Sequence, residues 1–434
     1  GWCASVDDRA AADAAFDALA QNPTMQVFGS YHKGLAHAVA GDLEGAARIL
    51  EAADADFLAG DRRSLQARAE IFAATGRQAR ALEILDLALT RGLRDPVLAD
   101  LRARIAAGEA IGFTMVPDAT AGVAEAFYTV ALVLGSSENR DFAVLLGRLA
   151  LHLAPDHAEG WLLMADLMQE QGQTELAIAA LSAIPREAPQ FLRAETARAS
   201  ALLDAGRTEE GIGALQELVR AYPQEIGPTA ALADALRQEQ RFGEAAEIYG
   251  RAIALLPEVR SQHWILFYQR GICYERAGRW ERAEADFRRA LQLEPGQPLV
   301  LNYLGYSLVE LGRSMGEAET MIRRAVEQRP EDGYITDSLA WVLYRLGRYG
   351  EAVAPMERAV ELVPSDPILN DHLGDILWKV GRRLEARFQW KRALSFGPEE
   401  KELARIRRKL EVGLDVVLEE EAARASETKA GNGG

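Results

Sequence analysis

Apolar residues recur along this chain at intervals of three and four over stretches of about a dozen residues, and the stretches come in pairs. A short polar turn joins each pair, and several of these turns read Gly-Arg: "AGRW" (Ala277 to Trp280), "LGRS" (Leu311 to Ser314), "LGRY" (Leu346 to Tyr349) and "VGRR" (Val380 to Arg383). With the turn glycine set at position 15 of a 34-residue unit, position 20 is Ala245, Ala283, Ala352 and Ala386, and position 27 is Ala252, Ala290, Ala359 and Ala393. Position 32 is Pro257, Pro295, Pro364 and Pro398, and position 8 is Ala233, Gly271, Ala340 and Gly374. Small residues at 8, 20 and 27 let two antiparallel helices approach closely, and apolar residues at 4, 7, 11 and 24 fill the space between them. Proline then ends the second helix by removing a donor.

These positions resemble the tetratricopeptide repeat, and the resemblance covers nearly the whole chain. It implies an all-α fold, a right-handed superhelical solenoid of helix-turn-helix units. Ten units follow in register: 27–60, 62–95, 124–157, 158–191, 192–225, 226–259, 264–297, 298–332, 333–366 and 367–400. The first two form one array (27–95) and the other eight a second (124–400), joined by residues 96–123, read as one helix and an irregular connection rich in glycine and proline. Residues 260–263 are an insertion, and the turn "GRSMGEA" (Gly312 to Ala318) carries one extra residue. Residues 1–26 read as part of a repeat with its first helix incomplete, 401–425 as a capping helix, and 426–434 as a disordered tail.

Composition narrows the function. The chain has 434 residues, 49% hydrophobic and 26% charged, with a net charge of −16, which repels nucleic acid and anionic lipid. No apolar run reaches the roughly 20 residues of a membrane span. Cys3 and Cys273 match no zinc or redox spacing, and Trp2 before Cys3 argues against a lipid anchor there. The chain begins at Gly1 with no export signal in its first residues, so a truncated or processed start is expected.

Motifs for catalysis are missing: there is no GxSxG, HExxH, GxxxxGK or strand-borne GxGxxG. His32 with His37 and His152 with His157 are five apart, a spacing that turns the rings away from a shared metal, and surface or groove roles are expected for them. No cofactor, metal or enzymatic activity is therefore expected. What remains is binding of a protein or peptide in the concave groove lined by first helices. Positions 5, 9 and 12 place Tyr268 and Ile272, Asn302 and Tyr306, Asp337, Trp341 and Tyr344, and Asp371, Asp375 and Trp378 along that groove. Thr336, Leu339, Ala340 and Leu343 fall to the core. The three aspartates are expected as solvated charges able to receive a basic segment, and Trp341 as the aromatic that the hairpin does not require. Repeats that clamp a carboxylate terminus use lysine at position 5; here that position is Tyr268, Asn302, Asp337 and Asp371, so such a clamp is absent.

The passages "NYLGYS", "DGYITDSLAWVLYRLGRY" and "NDHLGDILWKVGRRLEARFQW" also resemble a proteobacterial, especially alphaproteobacterial, group of envelope repeat proteins. The resemblance extends to an outer-membrane lipoprotein adaptor of a periplasmic C-terminal processing protease. It implies a periplasmic scaffold, outer-membrane associated through a preceding segment, with a protease and its substrates as partners. Two other expectations stay open: a scaffold of outer-membrane or polysaccharide export machinery, and a regulatory part of a longer chain bearing a catalytic domain.

Overall fold

The computed structural model describes residues 8–22, 25–52, 62–90, 95–135 and 139–431. Among the described residues the chain is helical with no β-strand, an all-α succession of helical hairpins. In chain order the helices are α1 (Arg9–Ala20), α2 (Gln26–Val39), α3 (Leu43–Ala52), α4 (Arg62–Ala74), α5 (Gln78–Thr90), α6 (Pro96–Ala106), α7 (Ala119–Gly135) and α8 (Arg140–Leu153). Then come α9 (Ala158–Glu170), α10 (Thr174–Ser182), α11 (Phe191–Asp204), α12 (Thr208–Ala221), α13 (Ile226–Gln238), α14 (Phe242–Ala254), α15 (Trp264–Arg276) and α16 (Trp280–Leu293). The last are α17 (Pro298–Glu310), α18 (Met315–Gln328), α19 (Gly333–Arg345), α20 (Tyr349–Leu362), α21 (Pro367–Lys379), α22 (Arg383–Ser395), α23 (Glu400–Val412) and α24 (Leu414–Gly431). The chain divides into two compact units, Gly1–Ala235 and Leu236–Gly434.

One hairpin shows how the repeat builds itself. Asp332 caps α19, its carboxylate accepting from the amides of Tyr334 and Ile335, both at 3.1 Å. The helix ends where Gly347 takes φ of +75°, a left-handed conformation that suits glycine. That turn lets the amides of Gly347 and Arg348 bond back to Tyr344 and Leu343 carbonyls, each at 2.9 Å. The arginine of the Gly-Arg turn then reaches two ways. Arg348 bonds Glu351 of its own second helix at 2.6 Å and Glu319 of the preceding repeat at 2.9 Å. Arg207 does the same with Glu210 and Glu175, and Arg382 with Glu385 and Glu357. Each pair is partly exposed and contributes little alone; the repetition along the array fixes the register of neighbours.

Departures from strict period are absorbed locally. The insertion forms a single 3-10 turn, Ser261–His263. The extra residue after Gly312 is accommodated by Ser314, at φ +46°. Between α6 and α7 the backbone is irregular rather than helical, and it is packed: Ile111, Met115 and Val116 are buried, and Glu70 accepts from the amides of Thr114 (2.8 Å) and Met115 (3.3 Å).

In the unit Gly1–Ala235, one core gathers Phe16, Leu35, Phe72, Leu85 and Leu98, and a second Tyr128, Leu146, Leu162, Met164 and Leu181. In the unit Leu236–Gly434 a continuous core runs through Phe287, Leu304, Leu339, Met356, Leu373 and Trp390 to Leu414. Thr336, Leu339, Ala340 and Leu343 are buried, at the core positions expected of them. The C-terminal cap, expected as one helix, is two: Gly413, at φ +87°, breaks it into α23 and α24, and α24 runs on to Gly431. Cys3 lies outside the described residues.

Two of the histidines expected at the surface are buried instead. His32 is fully enclosed and His157 is 7% exposed. The reason lies in packing across repeats: His157 Nε2 lies 3.2 Å from Glu125, which also takes Arg63 Nε at 2.7 Å, while Arg63 reaches Glu159 at 3.3 Å. Spacing along one helix does not report such a cluster.

Candidate protein-binding groove

The repeat period brings the expected groove residues of the unit Leu236–Gly434 onto successive first helices, α15, α17, α19 and α21. Tyr268 is half-buried in an aromatic cluster, its ring 5.9 Å from both Trp264 and Tyr303 and edge-on to the latter. Burial pushes its phenol up to about 12. Ile272 is half-buried against the same core. On α17, Asn302 and Tyr306 are half-buried. Asn302 Oδ1 has no hydrogen-bond partner, and the phenol of Tyr306 is pushed up by burial and then by the carboxylates of Glu310 and Asp337.

On α19 the side chains stack. Trp341 lies between Tyr344 (4.8 Å, 12° between planes) and His372 of the next first helix (3.9 Å, 15°), and its Nε1 donates to Glu310 at 2.8 Å. Tyr344 is only 9% exposed and meets Tyr349 at 5.3 Å. Trp341 is therefore part of the packing between repeats, correcting the expectation that the fold has no use for it. Stacking of flat rings between adjacent first helices is a lateral contact that hairpin closure alone does not require.

The aspartates are not solvated charges. Asp337 and Asp371 are 7% exposed and Asp375 is fully buried. His372 Nδ1 lies 2.9 Å from Asp337. Burial opposes charge on His372, but Asp337, with Asp371 and Asp375 behind it, outweighs that and raises its pKa above the ordinary 6.5. Asp371 and Asp375 are filled by the chain itself: Lys409 of α23, fully buried, places Nζ 2.8 Å from Asp371 and 2.6 Å from Asp375. Arg405 adds a contact to Asp375 at 3.3 Å, and Trp390 Nε1 donates to Asp375 at 2.9 Å. Burial and the adjacent Asp375 push Asp371 upward against the pull of Lys409. Trp378 is half-buried, 5.3 Å from Trp390, with Nε1 donating to Asp415 of α24 at 2.9 Å.

The ten expected residues thus fall into two sets. Tyr268, Ile272, Asn302, Tyr306 and Trp341 keep part of their surface on the first-helix face, whereas Asp337, Tyr344, Asp371 and Asp375 are buried and Trp378 is covered at its nitrogen by the cap. Sequence reasoning passed over His372, Arg405 and Lys409. The signal for the last two was present, because they follow Asp371 and Asp375 by one repeat length and with opposite charge.

The fold and this face define a class, the helical repeat arrays that bind protein or peptide segments. Tetratricopeptide repeat models match residues 143–201, 196–225, 264–297 and 304–367. Over these stretches the chain carries the tetratricopeptide repeat pattern. It is similar to a TPR repeat-containing protein of Pseudomonas aeruginosa, 34% identical over 87 residues, which cover 20% of this chain and 15% of that protein. A Drosophila melanogaster protein O-mannosyl-transferase is 32% identical over 88 residues, 20% of this chain and 9% of its own length. The chain therefore spans only a small part of these relatives. Among solved structures, a tetratricopeptide repeat protein from Parabacteroides merdae aligns with TM-score 0.47 at 18% identity, covering 59% of this chain and 98% of that one. Yeast Tom70 aligns with TM-score 0.44 at 14% identity, covering 94% and 91%.

Proposed function

We propose that this protein is a non-enzymatic scaffold of the bacterial envelope that holds a protein segment against its first-helix face and serves as adaptor for a periplasmic protease and its substrates. Tetratricopeptide repeats mark a protein-interaction scaffold, and the envelope role is supported by the resemblance of residues 301–394 to envelope repeat proteins. One observation carries the choice of site: with Asp371 and Asp375 buried and answered by Lys409 and Arg405, the part of the face left accessible is the stretch from Tyr268 through Asn302 to Trp341. Half-buried aromatics on successive first helices suit an extended segment whose apolar side chains cover the rings.

The test is purification from envelope fractions with wild-type protein and with Trp341→Ala. A protease recovered with the wild type and lost at least thirtyfold with the variant, equal to about 2 kcal/mol, is the expected result. Recovery of an export channel in its place, or of the protease equally with both proteins, overturns the reading.

A further inference from the structure

The second helices of the N-terminal unit carry a surface that the groove does not explain. Helix α10 has nine residues, while α8 and α12 have fourteen each. Its sequence, TELAIAALS, places Leu181 in the core where the corresponding helices of the other unit carry the larger Phe287 or Trp390, and sets Ala179 and Ala180 beside α8 and α9. A short helix with small side chains cannot fill the space beside α8 and α9, and a cavity of about 470 Å³ remains among the three. Its floor is Trp161, Met164 and Met168, and its mouth is Leu176, Arg148 and His152. Methionine floors adapt to differently shaped apolar groups.

The apolar surface extends beyond the cavity. Phe142, Leu145 and Leu149 follow one face of α8 and are 52%, 51% and 39% exposed, and Leu176 on α10 is 50% exposed. From Phe142 to Leu149 is about 10 Å of helix. A small molecule seated in the cavity would leave Phe142 and Leu145 in water, whereas a helix of two or three turns lying along α8 would cover both. Arg148 and His152, four apart on α8, stand at the cavity mouth, and neither is paired with another side chain among the described residues. Charge at the mouth is therefore unanswered on the basic side.

We propose that this face docks an amphipathic helix of a partner protein, which inserts one large apolar side chain between Met164 and Met168 and sets a carboxylate on Arg148 and His152. The site is separate from the first-helix groove and gives the scaffold a second point of attachment.

Two fluorescein-labelled helical peptides about fourteen residues long test it. Both carry Leu and a central Phe on one face; one has Glu beside the Phe and the other Lys. The Glu peptide is expected to bind wild-type protein at least about tenfold more tightly. Arg148→Glu should reverse that preference, Leu145→Glu with Leu176→Glu should abolish binding of both, and Trp341→Ala should change neither. All three α8 and α10 positions are exposed, so each variant should keep the wild-type circular dichroism and melting temperature; should the double variant not, Leu176→Ser replaces it. The proposal is overturned if neither peptide binds, if both bind wild type and Arg148→Glu alike, or if decanoate displaces the peptide at one molecule per chain, which would make a small amphiphile the occupant.

Discussion

At the scale of single residues, Lys409 decides more than any groove aromatic. Its side chain is fully buried with both Asp371 and Asp375 within 2.8 Å, and Arg405 adds a second cation from the solvent side. The cluster is tolerable only because two positive groups answer two negative ones. Lys409→Met keeps the length and apolar stem of the side chain and removes the charge, leaving two adjacent buried carboxylates with Arg405 alone. A buried pair broken from one side typically costs about 3–5 kcal/mol, so a loss of that size is expected in urea unfolding followed by tryptophan fluorescence, since Trp378 and Trp390 adjoin the cluster. Adding Asp375→Asn to Lys409→Met should restore part of it, because one uncompensated charge is then gone. A Lys409→Met protein as stable as wild type would show that the three groups are not neutralised as the geometry implies.

At the scale of the element, the contact between the two helices of a hairpin is set by position 8. A methyl group on Gly374 would sit 2.4 Å from the indole of Trp390 and 3.1 Å from the Ala386 carbonyl, and one on Gly305 would sit 2.7 Å from Ile322. Gly374→Ala should therefore cost about 1–3 kcal/mol through overpacking, despite alanine's better helix propensity, and Trp390→Leu should relieve the overlap in the double variant. Thermal melts of the two single variants and the double variant check this by their non-additivity. The same position explains what could be read beforehand. Hairpins were legible because small residues at 8, 20 and 27 and the Gly-Arg turn are local, recurring constraints. The cap was not, because Glu399 to Ala425 lacks both the Gly-Arg turn and the closing proline that set the phase, so the match of Arg405 and Lys409 to Asp371 and Asp375 went unseen. Nor does hydrophobic period report contacts between neighbouring repeats. The stacking of Trp341 on His372 and the enclosure of His157 by Glu125 depend on which first helices lie side by side.

At the scale of the molecule, the two compact units should respond to pH in opposite directions. In the unit Gly1–Ala235, burial lowers His32 to about 4, because the charged imidazole cannot be solvated there. For Glu125, burial favours the neutral acid, but Arg63 and His157 outweigh it and bring the group down to about 2. Both folded values lie below the unfolded ones, so the stability they contribute is present above the unfolded values. It is lost as pH falls, from 6.5 towards 4 for His32 and from 4.5 towards 2 for Glu125. His32 alone is worth on the order of 3 kcal/mol across its window. In the unit Leu236–Gly434 the sign reverses for His372, whose folded pKa lies above 6.5: its contribution is complete below 6.5 and is lost as pH rises through the folded value. Hydrogen exchange read separately for α2 and α21 between pH 4 and 9 distinguishes the two. Opening of α2 should become easier as pH drops below 6.5, and opening of α21 easier as pH rises above it. His32→Phe should flatten the first slope and His372→Phe the second, each leaving the other in place. Parallel slopes in both units would mean that neither histidine governs its unit's response, and that the pH dependence comes from the general excess of acidic groups carried by a chain of net charge −16.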